Sequence, residues 1–285
     1  MQDILISKKK SLNFNGLLED INEPQIMGIL NLTPDSFYDG GENSSIDLSI
    51  KNVKKMLADG AHIIDIGAYS SRPGAEHISE QEELDRLLPT VTRLKAEFPG
   101  IKMSIDTFRS KVATECVSQG AVMINDISGG DLDSEMWETV AQLNVPYVLM
   151  HMQGTPSTMQ DNPSYNNLID DVIFDLSQKV NKIKEAGIKD VIIDPGFGFG
   201  KTMAQNYEMM NHLDAFNLFE LPILIGISRK SMIYNLLNSK AIESLTGTIT
   251  LNTLALERGA QILRVHDVKE AKESIKIWQA VNFGI

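Results

Sequence analysis

The sequence predicts an α/β chain folded as a single-domain (β/α)8 barrel, a TIM barrel, and three observations carry that prediction. Eight short apolar runs recur along the chain. Each is continuous rather than alternating, as strands buried on both faces read. Amphipathic helical patterns separate them, and the 285 residues match the usual length of the fold.

Residues 1–24 precede the first barrel strand, and "ILISKKKSLNFNGLL" is a candidate hairpin closing the barrel bottom; the barrel itself takes 25–285. Strand one is "QIMGIL" 25–30, and Ile46, Ile50, Val53 and Leu57 share one face of the helix behind it. After the second strand, "HIIDIG" 62–67, Ser79 and Glu82 form the S-x-x-E signature of a capping box. "IKMSID" 101–106 and "AVMIND" 121–126 are strands three and four. "PYVLMHM" 146–152 leads to a long helix marked by Leu168, Val172, Leu176 and Ile183. "DVIIDPG" 190–196, "PILIGIS" 222–228 and "QILRVHD" 261–267 complete the set, and Val268, Ala271, Ile275 and Trp278 mark the last helix. An open doubly wound sheet is the alternative, but no glycine-rich fingerprint follows the first strand.

Composition narrows the class. Apolar content of 42% and charged content of 22% describe a globular protein with a large core. A net charge of -12 argues against a general nucleic-acid binder. The lysines of "MQDILISKKK" follow the apolar stretch, the wrong order for a secretory signal, and no run of 18 apolar residues offers a membrane span. The single cysteine, Cys116, excludes an internal disulfide and suits a reducing compartment. A cytoplasmic protein is expected.

Two connections, "NLTPDSFYDGGENS" and "GAYSSRPGAEHIS", exceed the roughly 2–6 residues of ordinary βα loops. At the C-terminal face of a barrel such loops are candidate lids. The strand tips there are dense in polar groups: Asn31, Asp106, Asn125, Met150 with His151, Asp194 with Lys201, Ser228-Arg229-Lys230, and Arg264 with His266. Taken alone, Asn125 or His151 reads as a helix cap, and Arg229 reads equally well as half of a surface ion pair. Cations gathered after strands seven and eight, where barrels frequently bind phosphate, point to an anionic, phosphorylated substrate. Asp106 and Asp194 sit among apolar strand residues, where an unpaired charge is costly. Each wants a partner, either a neighbouring Lys or Arg or a heterocycle offering adjacent N–H and NH2 donors.

"DPGFGFGKT" 194–202 ends like a phosphate-binding P-loop, but the first glycine of that motif falls on Pro195. The nucleotide reading fails there.

These motifs together carry a resemblance. From Gln25 onward the chain resembles the dihydropteroate synthase family through "MGILNLTPDSFYDGG", "SSRPGAE", "SIDTF", "INDISGG", "LMHMQGTP", "DPGFGFGKT", "GISRKSMI" and "RVHDV". The resemblance implies a (β/α)8 barrel, a homodimer, and Mg2+ as cofactor. It also implies condensation of 6-hydroxymethyl-7,8-dihydropterin diphosphate with 4-aminobenzoate, small-molecule substrates with neither nucleic acid nor membrane, and sulfonamides as inhibitors. Residue by residue, Asp106, Asn125, Asp194 and Lys230 match the holders of the pterin edge, and Met150 its apolar wall. Asn31, Ser71, Arg264 and His266 match the diphosphate surroundings, with Asn31 offering an oxygen to the metal. Arg72, Pro73, Phe199 and Ser228 match the surroundings of 4-aminobenzoate. Asp106, Lys230 and Arg264 are the implied catalytic set, with Asp106 stabilising a pterin methylene cation attacked by the aniline nitrogen.

One stretch departs from the pattern. Where the family commonly reads G-G-E-S-T-R-P-G, this chain has "GAYSSRPG", so Ala68, Tyr69 and Ser71 replace glycine, glutamate and threonine. The change bears on loop geometry and sulfonamide susceptibility. Two further readings stand beside the synthase: a methyltetrahydrofolate methyltransferase barrel, which needs neither Arg72 nor the Arg264/His266 pair, and a non-catalytic pterin-binding paralogue.

Overall fold

The computed structural model describes residues 10–14, 16–32, 42–70, 77–156, 158–159 and 163–284, the side chains of 42–44 excepted. Two short strands, β1 (Ser11–Phe14) and β2 (Leu17–Asp20), pair antiparallel as a hairpin. Alternation turns Leu12 and Phe14 inward. They join Ile21 in an apolar cluster with Met27, Ile63, Met123, Val148, Ile192, Leu224 and Ile262. Those partners come from the opening residues of the barrel strands, so the hairpin covers the N-terminal end of the barrel.

The barrel strands are β3 (Gln25–Asn31), β4 (Ile63–Gly67), β5 (Met103–Asp106), β6 (Met123–Asp126), β7 (Tyr147–Met150), β8 (Val191–Asp194), β9 (Leu224–Ile225) and β10 (Ile262–Val265). They form one parallel sheet in the order β8-β7-β6-β5-β4-β3-β10-β9. A single parallel bridge between Ile193 and Ile223 closes the ring, helped by the Ile193 N–H donating to Pro222 O at 2.8 Å. β9 is much shorter than the run "PILIGIS" suggests. Pro222 has no N–H to give to a ladder, and Arg229 turns the chain with a left-handed φ of 57°.

Helices α1 (Glu42–Asp59), α2 (Glu80–Glu97), α3 (Ser110–Ser118), α4 (Met136–Leu143), α5 (Leu168–Glu185), α6 (Met203–Asn211), α7 (Ser231–Leu236), α8 (Leu245–Glu257) and α9 (Val268–Phe283) surround the sheet. Their apolar stripes bury Val53, Leu87, Leu94, Val172, Leu176 and Ile275 in one core with Ile26, Ile64, Ile66 and Ile105 from the strands. A fully buried leucine such as Leu176 contributes roughly 1.5–3 kcal/mol through burial alone. At the start of α2 the expected capping box is half made: Ser79 Oγ accepts from Glu82 N–H, but the Glu82 carboxylate pairs with Arg86 at 2.5 Å. A cation one turn along competes well for it. Among the described residues, no helix is long and apolar enough to cross a membrane.

Candidate active site

Parallel register builds the site. Asn31 pairs with Gly67, Gly67 with Asp106, and Asp106 with Asn125, so the tips of β3 to β6 form one row. Farther round, Met150 pairs with Asp194. Gly67 leaves room in the row, since a Cβ there would lie 3.2 Å from that of Asp106.

Arg264 crosses the barrel mouth from β10. Its Nε donates to Asp65 Oδ2 and its Nη2 to Asp106 Oδ2, both at 2.6 Å. Asn125 Nδ2 donates to the same Asp65 oxygen at 3.0 Å. Burial and the charge of Asp65 push the Asp106 carboxyl above its ordinary range, with Arg264 opposing. Burial alone would lower Arg264, but the two carboxylates outweigh it and raise it. Asp65, fully buried and central to this network, is not among the residues the sequence singles out. The available signal was one acid inside "IIDIG", a strand otherwise buried and without charge.

Asp194 ends β8, and its Oδ1 accepts the Gly196 N–H at 2.8 Å. Burial raises its pKa, while the charge of Lys230 acts in the opposite direction. The loop that follows is locked from behind. Lys201, 2% exposed, donates to His151 Nδ1 (2.9 Å), Gly196 O (3.0 Å) and Phe199 O (3.0 Å). Among the described residues it forms no ion pair with an acid, and its acceptors are one imidazole and two backbone carbonyls. Burial lowers Lys201 to about 7 and, with the neighbouring ammonium, holds His151 at about 2, which keeps the imidazole neutral. Asn206 and Tyr165 complete the clamp through Gly198 N–H (2.7 Å) and Gly200 O (2.7 Å). Gly196 has no alternative here: its φ is 75°, and a Cβ would fall 1.8 Å from His151 O.

Lys230 donates to Phe197 O and lies 4.4 Å over the Phe199 ring. Burial lowers it to about 8, with Asp194 pulling it back up. Ser228 Oγ meets His266 Nδ1 at 3.0 Å. Arg229 forms a two-pronged pair with Asp267, at 3.1 and 2.6 Å, which is the ion-pair reading of that residue. Met150 packs in an apolar cluster with Phe108, Ile127, Met152 and Met159, against which Tyr69 and Phe199 lie. The mouth thus offers an apolar floor, a carboxylate acceptor and ammonium and guanidinium donors. That set suits a flat heterocycle with a polar edge and an anionic tail.

Residues 27–266 match the family described as pterin binding enzyme. The chain is 45% identical to the dihydropteroate synthase of Clostridium beijerinckii over 255 residues, 88% of this chain and 92% of that one. The chain belongs to the dihydropteroate synthase family. A Yersinia pestis dihydropteroate synthase solved with a sulfonamide drug superposes with a TM-score of 0.89 at 44% identity, covering 95% of this chain and 98% of that one. The Xanthomonas albilineans dihydropteroate synthase solved with 4-aminobenzoic acid gives 0.90 at 36% identity, with 97% and 99% covered.

Of the residues matched to the dihydropteroate synthase motifs, Asp106, Asn125 and Arg264 gather around Asp65, and Asp194, Lys230 and Phe199 gather around the loop after β8. Met150 lies in the cluster that Phe199 packs against, Ser228 and His266 meet each other, and Asn31 is exposed at the tip of β3. Ser71, Arg72 and Pro73 lie outside the described residues. The dihydropteroate synthase resemblance did not assign Lys201, His151, Asn206 or Tyr165 a role, and all four shape the loop.

Proposed function

We propose that the chain joins 4-aminobenzoate to 6-hydroxymethyl-7,8-dihydropterin diphosphate, giving 7,8-dihydropteroate and diphosphate. Asp194 carries this reading. It is a buried carboxylate at a barrel mouth with one oxygen fixed by Gly196 N–H, and among the described residues its Oδ2 accepts no hydrogen bond. Adjacent N–H and NH2 groups of a pterin supply the donors such a carboxylate needs. Asn125 and Lys230 hold the rest of the polar edge, and Met150 covers a face of the ring.

Arg264, His266, Asn31 and Ser71 surround the diphosphate in this reading. No three acidic, His or Cys side chains converge among the described residues to hold a metal unaided. Asn31, exposed at the tip of β3, would offer its side-chain oxygen to Mg2+, with phosphate oxygens and water as the other ligands. When bound, the ion neutralises charge on the departing diphosphate. The C–O bond to diphosphate breaks, positive charge develops on the pterin methylene, and the aniline nitrogen forms the new C–N bond before losing a proton. Asp106, fixed by Arg264, stabilises the developing charge. Arg72, Pro73, Phe199 and Ser228 receive 4-aminobenzoate. The same reading has a homodimer working in the cytoplasm, where the buried, free Cys116 meets no oxidant.

The test is diphosphate release from the dihydropterin substrate with Mg2+, with and without 4-aminobenzoate. Release that depends on 4-aminobenzoate and yields dihydropteroate is expected. Pterin binding without release, or release without product, rejects the assignment.

A further inference from the structure

Lys201 is a buried cation that the proposed reaction does not use. Its ammonium meets three acceptors, His151 Nδ1, Gly196 O and Phe199 O, one for each N–H it carries. Each acceptor belongs to a segment that bears a proposed pterin contact.

The shortest link runs through a single residue. Gly196 gives its carbonyl to Lys201 at 3.0 Å and its N–H to Asp194 Oδ1 at 2.8 Å. Phe199 gives its carbonyl to Lys201 as well, while its ring lies 4.4 Å from Lys230 Nζ. Between the two, Phe197 gives its carbonyl to Lys230 instead. The third acceptor, His151, follows Met150 in the chain and donates its own backbone N–H to Asp194 O at 3.0 Å. The loop after β8 is thus held between two ammonium groups, Lys201 in the interior and Lys230 at the mouth.

Burying an ammonium without an ion pair is costly. An apolar side chain would fill the same space without that cost, but it would leave the two carbonyls without a donor. What the cation adds is convergence, because acceptors from two loops meet at one point.

We propose that Lys201 is a positioning residue for the pterin carboxylate Asp194. By gathering Gly196, Phe199 and His151, it fixes the peptide N–H that aims Asp194. The inference rests on the assignment of Asp194 to the pterin given above. Lys201 touches no substrate atom in this account.

The experiment measures two affinities by calorimetry, that of a phosphate-free pterin and that of inorganic diphosphate with Mg2+. The proteins are wild type, Lys201→Met, Lys201→Gln, Asp194→Asn and the Lys201→Met/Asp194→Asn double variant. Lys201→Met should weaken the pterin about tenfold, as for a lost hydrogen bond to a charged group, and leave diphosphate within about twofold. Lys201→Gln keeps two N–H donors and should show the same selectivity with a smaller loss. The double variant should lose far less than the two single losses combined, since both act through one carboxylate. Equal weakening of both ligands, no change, or additive losses overturn the proposal. Thermal melting is the folding control, and if Lys201→Met does not fold, Lys201→Gln decides by the same criterion of selectivity. A wild-type protein that binds no pterin sinks the pterin reading instead.

Discussion

Arg264 and Asp106 form an ion pair at 2.6 Å across the barrel mouth, and the other branch of the same guanidinium is held by Asp65. The charge that stabilises Asp106 is thus itself fixed by a carboxylate that touches no substrate in the proposed reaction. Replacing Arg264 by Met strands the fully buried Asp65 carboxylate and the partly buried one of Asp106. A loss of about 3–5 kcal/mol in urea unfolding is expected, and binding of a phosphate-free pterin should weaken along with that of diphosphate. Selective loss of diphosphate binding alone would show that the pair with Asp106 contributes nothing at the pterin edge.

Asp65→Asn keeps the shape and removes the charge. Arg264 and Asn125 lose the charge of their common acceptor and one carboxylate oxygen becomes a donor beside them, and a misplaced catalytic group costs roughly 100-fold. That drop is expected in kcat/KM, with the fold intact by circular dichroism. Wild-type activity in this variant would reduce Asp65 to a structural acid.

Asp194→Asn replaces one carboxylate oxygen with a donor facing donors. Pterin affinity measured by calorimetry should fall about 10- to 100-fold, as for a hydrogen bond to a charged group. A change of a few-fold contradicts the pterin assignment.

His151 gives a pH dependence whose sign follows from its depressed pKa of about 2. The unfolded chain takes up a proton near the ordinary imidazole value of about 6.5 while the folded chain does not. The unfolded state therefore binds more protons between those limits, and stability falls as pH drops through that window. Urea unfolding at pH 5 against pH 7 should show about 2 kcal/mol from this group. His151→Asn should flatten that part of the profile, and an unchanged slope would place the titration elsewhere.

Gly196→Ala combines a left-handed backbone with a methyl group in the space of His151 O. A loss of about 2 kcal/mol or more is expected in thermal or urea unfolding. A fully stable variant would mean that the loop after β8 can settle in a second conformation.

Much of the barrel is legible in the amino-acid sequence. Strands buried on both faces betray themselves as unbroken apolar runs, and "DPGFGFGKT" announces a loop needing glycine beside a carboxylate. The site network is less legible because its partners are remote. Arg264 and Asp65 are 199 residues apart and meet only through the register of the whole sheet. Lys201 illustrates a different limit. Nothing in its local sequence names its partners, and burial leaves it backbone carbonyls and an imidazole as acceptors. The capping box at Ser79 is half made for a local reason, since Arg86 offers Glu82 a better partner.

The thin closure between β8 and β9 has a last consequence. One bridge, Ile193 to Ile223, joins the strand that ends in Asp194 to the run that leads to Ser228 and Lys230. The barrel is a hoop with one weak rivet, and the two jaws proposed to grip the heterocycle stand on opposite sides of it. An occupant spanning both jaws is a strut across the seam. Occupancy and the integrity of the hoop are then one equilibrium, and the empty protein should breathe there first.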